Sequence, residues 1–315
     1  MTPTKHYTQL DGIRFIAVFL VLIDHWLAEK NNLPLGPLGV TIFFVLSGFL
    51  ITGILLKSKI KDEALNRNHL FSFRQFYIRR SIRIFPIYYL SVFVLFVFNS
   101  PSVVGKVWWH LFYATNFFIA IKGTWLGITD HFWSLAVEEQ FYLFFPLLVF
   151  AIPQKHLSKL FWGMIVVAIT SRLILFLNHA DWTIQYVSTI TSLDAFGMGA
   201  LLALSLSLPS PEDRVQSLSL PSPEDRVQNL SLPSPKERVL LGLVLLIGIV
   251  VLEKILPEKR NFATEVLERT CFSIFSLILI NQAIHGFNGL MKHILENKII
   301  VFLGKISYEI GRAHV

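Results

Sequence analysis

One cysteine in 315 residues leaves this chain no intramolecular disulfide to form and no thiolate framework for a metal. Cys271 lies within an apolar run and reads as a small core residue. Charge is scarce too. Asp, Glu, Lys and Arg make up 16% of the chain, against about 25% in soluble domains, which excludes an ordinary soluble class. Acidic residues are outnumbered 21 to 28, for a net charge of +7, but the basic residues collect in connections between apolar stretches. They form no continuous stripe, so nucleic acid is excluded as a partner. A cleavable leader is absent from the expectation as well. The first apolar core is interrupted by Arg14 and by Asp24–His25, and no small-residue cleavage site follows.

What the chain has in abundance is apolar surface. It is 53% hydrophobic with a mean hydropathy of +0.57, and 28 residues are Phe. Seven Trp fall near the ends of apolar segments, as interfacial anchors do. Apolar windows occur at about 12–28, 38–56, 84–98, 107–121, 133–152, 161–177, 184–206, 239–256, 270–285 and from 299 onward. The expectation is an all-α, polytopic transmembrane helical bundle of about ten spans, some of them tilted or re-entrant. Residues 57–83 carry eight Lys and Arg against Asp62 and Glu63, so the positive-inside rule puts this loop and the N-terminus in the cytoplasm. The next strongly basic connection, Lys254 to Arg269, falls on the same side if all ten spans cross.

Residues 205–240 hold a tandem repeat of period twelve. S-L-S-L-P-S-P-E-D-R-V-Q occurs twice, followed by N-L-S-L-P-S-P-K-E-R-V-L. Two prolines per unit exclude a continuous helix, and three such units cannot build a solenoid core. This is expected to be an extracytoplasmic spacer without chemistry. The last six residues, Ile310–Val315, break the apolar character of the span that begins at residue 299. They match the translation of a common sequencing adapter, so 310–315 is expected to be a non-native tail and the reading frame to be truncated after a membrane domain of residues 1–309.

Ionisable residues inside apolar helices need an internal reason, because each costs about 2.5–3.5 kcal/mol at the bilayer centre. Arg14 and His25 are eleven positions apart, three helical turns plus about 20°, and about 16 Å of rise. They share a face, with Arg14 near one membrane surface, His25 about half a bilayer deeper and Asp24 pointing about 100° away. The pair implies a polar chamber within the bundle. The bland alternative is a snorkelling arginine and a histidine bonded to a neighbouring helix. In G-V-T-I-F-F-V-L-S-G-F-L, residues 39–50, Gly39, Ser47 and Gly48 allow close backbone approach, and Ser47 has either that role or a chemical one. Arg79, Arg80 and Arg83 share helix faces at three- and four-residue spacing, and their guanidinium forks suit phosphates. Anchoring and lipid-headgroup binding explain the same cluster. In D-H-F-W-S-L-A-V-E-E-Q-F-Y, residues 130–142, Glu138 and Glu139 enter an apolar helix on different faces, with Trp133 at the interface and Ser134 beside it. Asp194, before a Gly-rich turn, reads as a packing element.

Together these residues resemble the membrane acyltransferase 3 family of integral-membrane O-acyltransferases that decorate bacterial glycans. The matching motifs are L-D-G-I-R at 10–14 with His25 beyond, F-F-V-L-S-G-F-L at 43–50, R-R-S-I-R-I-F-P at 79–86, W-S-L-A-V-E at 133–138, D-A-F-G-M-G-A at 194–200 and F-L-G-K-I-S-Y at 302–308. They stand in the family's order, and the repeat loop departs from it. The resemblance implies a multi-pass protein of the bacterial inner membrane that transfers an acyl group, usually acetyl, from acyl-CoA to a hydroxyl. The acceptor would be a glycan or lipid-linked saccharide, membrane lipids would be the surroundings, and no metal is required. In that scheme His25 accepts the hydroxyl proton and Glu138 orients the imidazole or stabilises its cation. Arg14 holds donor phosphates or pantetheine carbonyls, Arg79, Arg80 and Arg83 grip the nucleotide end, and Asp24, Ser47, Trp133 and Ser134 line the pocket. Two rivals remain: a secondary transporter exporting a metabolite or acylated carrier, and a non-catalytic member acting in polymer export. Against the transporter, the chain has no internal symmetry between halves.

Overall fold

The computed structural model describes residues 7–26, 33–207, 235–255 and 261–309. Most of the twelve-residue repeat and the terminal hexapeptide lie outside these residues. The described residues are helical, with no strand among them. The helices are α1 (Thr8–Trp26), α2 (Leu35–Ala64), α3 (Leu70–Val97), α4 (Val107–Leu111), α5 (Thr115–Lys122), α6 (Phe132–Ala151) and α7 (Gln154–Leu177). They continue as α8 (Trp182–Val187), α9 (Leu193–Ser207), α10 (Pro235–Ile255), α11 (Glu268–His285), α12 (Gly289–Leu295) and α13 (Lys298–Glu309). A π-helical turn, Ala263–Leu267, leads into α11. Pro235, the last proline of the repeat, opens α10, where its missing N–H has no intrahelical partner to lose.

Among the described residues, five helices are long and apolar enough to cross a membrane: Leu35–Ala64, Leu70–Val97, Gly127–Ala151, Gln154–Leu177 and Ile190–Ser207. A sixth span results if Ala263–His285 and Gly289–Leu295, bent by 91°, count as one. This is a polytopic helical bundle, with fewer such helices among the described residues than the ten apolar windows. The differences have local causes. The 107–121 window is broken into α4 and α5 at Tyr113, which takes a left-handed φ of 50°. α1 carries Asp11, Arg14 and Asp24 in 19 residues. Among the described residues the apolar stretch of α10 is Val239–Val251 and α13 is described over 12 residues, both shorter than the roughly 20 a span needs.

α2 is the spine, packed between α1, α9 and α11, with α7 behind α9. Small residues make this possible. A Cβ on Gly48 would overlap the carbonyl oxygen of Phe196, and one on Gly199 would overlap that of Val45, so α2 and α9 meet backbone to backbone. Around this seam the phenylalanines form a column across four helices. Phe44 stacks on Phe196 at 4.8 Å, Phe196 on Phe141 at 4.0 Å, Phe141 on Phe145 at 4.4 Å, and Phe145 meets Phe161 at 5.8 Å. Asp194 is held by Arg172 of α7 at 2.7 Å, both fully buried, in keeping with a packing role.

Polar locks set the α2–α3–α6 arrangement. Lys59 donates to the carbonyls of Val149 (2.9 Å) and Ile152 (2.5 Å), placing a cation on the C-terminus of α6. Asp62, fully buried, pairs with Arg67 and His69 across the short turn into α3. Beyond that turn α3 is sparsely packed, burying only Ser72, Phe76, Tyr88 and Val92. Its remaining apolar face is left for lipid.

Candidate active site

Three cavities lie in succession along α2. The first, about 470 Å³, opens around Ile54, Ser58 and Lys61 and is walled by Arg67, Arg79, Arg80 and Arg83. The second, about 170 Å³, sits at Phe43, Leu46, Ser47 and Leu50 and shares Arg80 and Arg83 with the first. The third, about 450 Å³, begins at Val40, Pro37 and Gly36. From Lys61 to Gly36 the helix rises about 37 Å, enough to cross the hydrocarbon core of about 30 Å.

The middle cavity gathers five residues singled out from sequence: Arg14, Ser47, Arg80, Arg83 and Glu138. Glu138 Oε1 accepts a hydrogen bond from Ser47 Oγ at 2.7 Å. Tyr142, one turn further along α6, places its hydroxyl 2.9 Å from Ser47 Oγ and 3.2 Å from Glu138 Oε2. The Arg80 guanidinium lies 4.0 Å above the Tyr142 ring, and both Arg80 and Arg83 are near enough to act electrostatically on Glu138. Opposite, Arg14 donates to Asp11 Oδ1 at 2.6 Å, both side chains buried. Helical spacing hides neither partner: Asp11 precedes Arg14 by three residues and Tyr142 follows Glu138 by four. What the spacing leaves open is which helix faces each pair, here α2 with Ser47 for Glu138 and Tyr142.

Arg79 joins Arg80 and Arg83 in the first cavity, with Arg67 and Lys61 adding charge. That lining suits a polyanion.

The structure separates His25 from Glu138. His25 lies in the last turn of α1, exposed, with Nδ1 2.9 Å from the Val21 carbonyl, and it lines the third cavity. It therefore lies at the Gly36 end of α2, in the last described turn of α1. Asp24, Trp133 and Ser134 line the same cavity. One helical turn on α2, from Val40 to Phe43, and one on α6, from Ser134 to Glu138, divides it from the middle chamber. Glu138 reaches Ser47 and Tyr142 directly, and no such bond links it to His25. Asp24 fits against α2 because residue 36 is glycine: a Cβ there would stand 2.5 Å from Asp24 Oδ2.

Sequence reading passed over the rest of this third cavity. Asp130 and His131 stand beside Trp133, and Trp125, Trp182 and Tyr186 complete the rim. His131 and His25 are close enough to influence each other electrostatically. Asp130 Oδ1 accepts from the Gly127 amide at 2.7 Å and from that of Leu126, fixing the loop that carries Trp125. Burial pushes the Tyr186 phenol up to about 12, so it remains a neutral hydroxyl at ordinary pH. No group of three or more His, Cys, Asp or Glu poised for a metal ion occurs among the described residues.

Comparison with known proteins agrees with the sequence motifs. The chain is 27% identical over an alignment of 347 residues to a Staphylococcus aureus (strain COL) protein named "Putative O-acetyltransferase SACOL0978", covering 100% of this chain and 52% of that protein. It is 31% identical over 229 residues to Peptidoglycan O-acetyltransferase OatA of Listeria monocytogenes, covering 65% of this chain and 34% of the relative. With O-acetyltransferase OatA of Staphylococcus aureus (strain NCTC 8325 / PS 47) it shares 28% identity over 223 residues, covering 64% and 35%. The chain thus spans about half the length, or less, of these curated relatives. No solved structure matches. A family model described as an acyltransferase domain matches residues 7–310, and the chain belongs to that acyltransferase 3 family.

Proposed function

We propose that this protein is a membrane O-acyltransferase that takes an acyl group, acetyl in the simplest case, from acyl-CoA at one membrane face and delivers it to a saccharide hydroxyl at the other. The observation that carries this reading is the line of cavities along α2, strongly basic at the Lys61 end and furnished with imidazoles and carboxylates at the Gly36 end. In this reading Arg79, Arg80 and Arg83 hold the donor's phosphates, and the positive-inside rule makes that end cytoplasmic. The pantetheine arm runs through the middle chamber past Arg14, Ser47 and Glu138. Its thioester then meets the acceptor near His25.

The chemistry balances without a further reactant. The acceptor hydroxyl oxygen forms a bond to the thioester carbonyl carbon while His25 takes the hydroxyl proton. The carbon–sulfur bond breaks, and the departing thiolate is protonated to free CoA, returning the imidazole to its neutral form. Glu138, held by Ser47 and Tyr142, acts on the middle of the path as a fixed acceptor for donor amide groups rather than as the partner of His25. The relatives' names support acetyl as the group transferred. Purified protein in proteoliposomes, supplied with acetyl-CoA, tests the reading. Release of CoA thiol is expected only when envelope glycan is present. Movement of substrate across the bilayer with no thiol release would favour a transporter and overturn it.

A further inference from the structure

The third cavity is rimmed by aromatic rings in a way no other tryptophan-bearing surface of the molecule is among the described residues. Trp125 lies 6.1 Å from Trp182 and 6.1 Å from Tyr186, Trp182 is 5.7 Å from Tyr186, and Trp133 is 4.9 Å from Tyr186. Trp125 and Trp182 are 36% and 45% exposed, whereas Trp133 is almost wholly buried beneath them. The rim is built rather than incidental. Asp181 caps α8 by accepting from the Thr183 amide and hydroxyl, and Arg269 stacks 5.1 Å behind the Tyr186 ring.

Membrane anchoring explains other tryptophans better than these. Trp108 and Trp162 are 67% and 57% exposed, and neither lines any of the three cavities. Trp125 and Trp182 instead converge from separate segments on one concavity that also holds Asp24, His25 and His131. Aromatic faces beside hydrogen-bonding carboxylates and imidazoles match a molecule with a flat C–H face and a polar edge. The charge narrows the choice. Among the described residues lining this cavity there is no Lys or Arg and there are two aspartates, which disfavours a phosphorylated ligand.

Building on the transferase reading above, we infer that Trp125, Trp182 and Tyr186 form the acceptor subsite and hold a neutral pyranose ring with its hydroxyls turned toward Asp24, His25 and His131. The basic cavity at the other end of α2 takes the phosphorylated partner, and this one takes the uncharged sugar.

The test uses the intact protein in lipid nanodiscs, with acetyl-CoA and envelope glycan fragments separated into neutral and phosphorylated fractions. The neutral fraction is expected to drive CoA release. Trp125→Ala and Trp182→Ala should each raise its half-saturating concentration at least tenfold, with the KM for acetyl-CoA held within twofold, and Trp182→Phe should recover most of the loss. Trp162→Ala, on an exposed face away from the cavity, should change neither constant. An unchanged half-saturation in both alanine variants, or use of the phosphorylated fraction alone, would overturn the subsite. A parallel rise in the acetyl-CoA KM would mean that these residues serve folding or anchoring, which overturns it too. Intact acetyl-CoA binding without glycan-stimulated CoA release in the unaltered protein would refute the underlying transferase reading instead.

Discussion

The two ends of α2 are built from opposite materials. At the Lys61 end, arginines from α3 and the turn before it surround a cavity with no Asp or Glu among its described lining residues, and nearby Asp62 is committed to Arg67 and His69. At the Gly36 end the described lining residues are aromatic and acidic, with two histidines and no arginine or lysine among them. A single helix thus presents an electropositive mouth and a neutral-to-acidic one about 37 Å apart. Between them lies a chamber too small, at about 170 Å³, for either whole substrate. Under the proposed function the contrast is a division of labour: charge recognition at one end, ring recognition and proton transfer at the other, and only a narrow arm in common.

Variants at the two ends and in the middle should therefore fail differently. His25→Ala should be the most severe, lowering kcat by about 10²–10⁴, the usual worth of a general base, with protein level and membrane insertion unchanged. Wild-type turnover at matched expression would take His25 out of the reaction and leave the far cavity without its chemistry. Next, Arg80→Glu should raise the acetyl-CoA KM by about 10–100-fold, the worth of one charged hydrogen bond, and leave acceptor half-saturation unaltered. Accessibility tagging in the turn between α2 and α3 must accompany it, because inverted topology would assign the cluster to anchoring. Unchanged donor affinity with preserved topology would remove the phosphate grip.

Glu138→Gln sharpens the comparison from the middle. It keeps the shape of the Ser47–Tyr142 cluster and replaces an acceptor oxygen with an amide NH2, so the acetyl-CoA KM should rise by about tenfold, the worth of one hydrogen bond to the donor. Steady-state kinetics on both substrates would contradict this if kcat or the acceptor half-saturation, and not the acetyl-CoA KM, carried the change. Least of all, deleting Ser217–Gln228 should leave transfer nearly unaffected, because doubling a loop costs only about 0.6 kcal/mol. A large loss in the same assay would mean that the repeat contacts substrate or a partner.

The contrast also explains what was readable beforehand. The basic end was legible because Arg79, Arg80 and Arg83 are close in sequence, so helical spacing alone puts them together. Close packing at Gly48 was legible as well, since small residues in an apolar helix mark backbone approach. The Ser47–Glu138 bond was not, because it joins residues 91 apart and depends on how α2 meets α6. Likewise, helix geometry fixed the roughly 16 Å between Arg14 and His25 but could not say that His25 would share a cavity with His131, Trp125 and Trp182 from distant segments. The break at Tyr113 escaped detection for a related reason: apolar composition records length, and a left-handed φ in mid-run leaves no compositional trace.

The central claim is that the basic and aromatic cavities open on opposite faces of the membrane. Single cysteines at Ala64 and Thr124, both exposed and each near one mouth, would test it in a Cys271→Ser background with a membrane-impermeant maleimide applied from one side at a time. Labelling of Ala64→Cys only from the cytoplasmic side and of Thr124→Cys only from the other is the result predicted. Labelling of both from the same side would contradict the account, because donor and acceptor would then have to enter through one face.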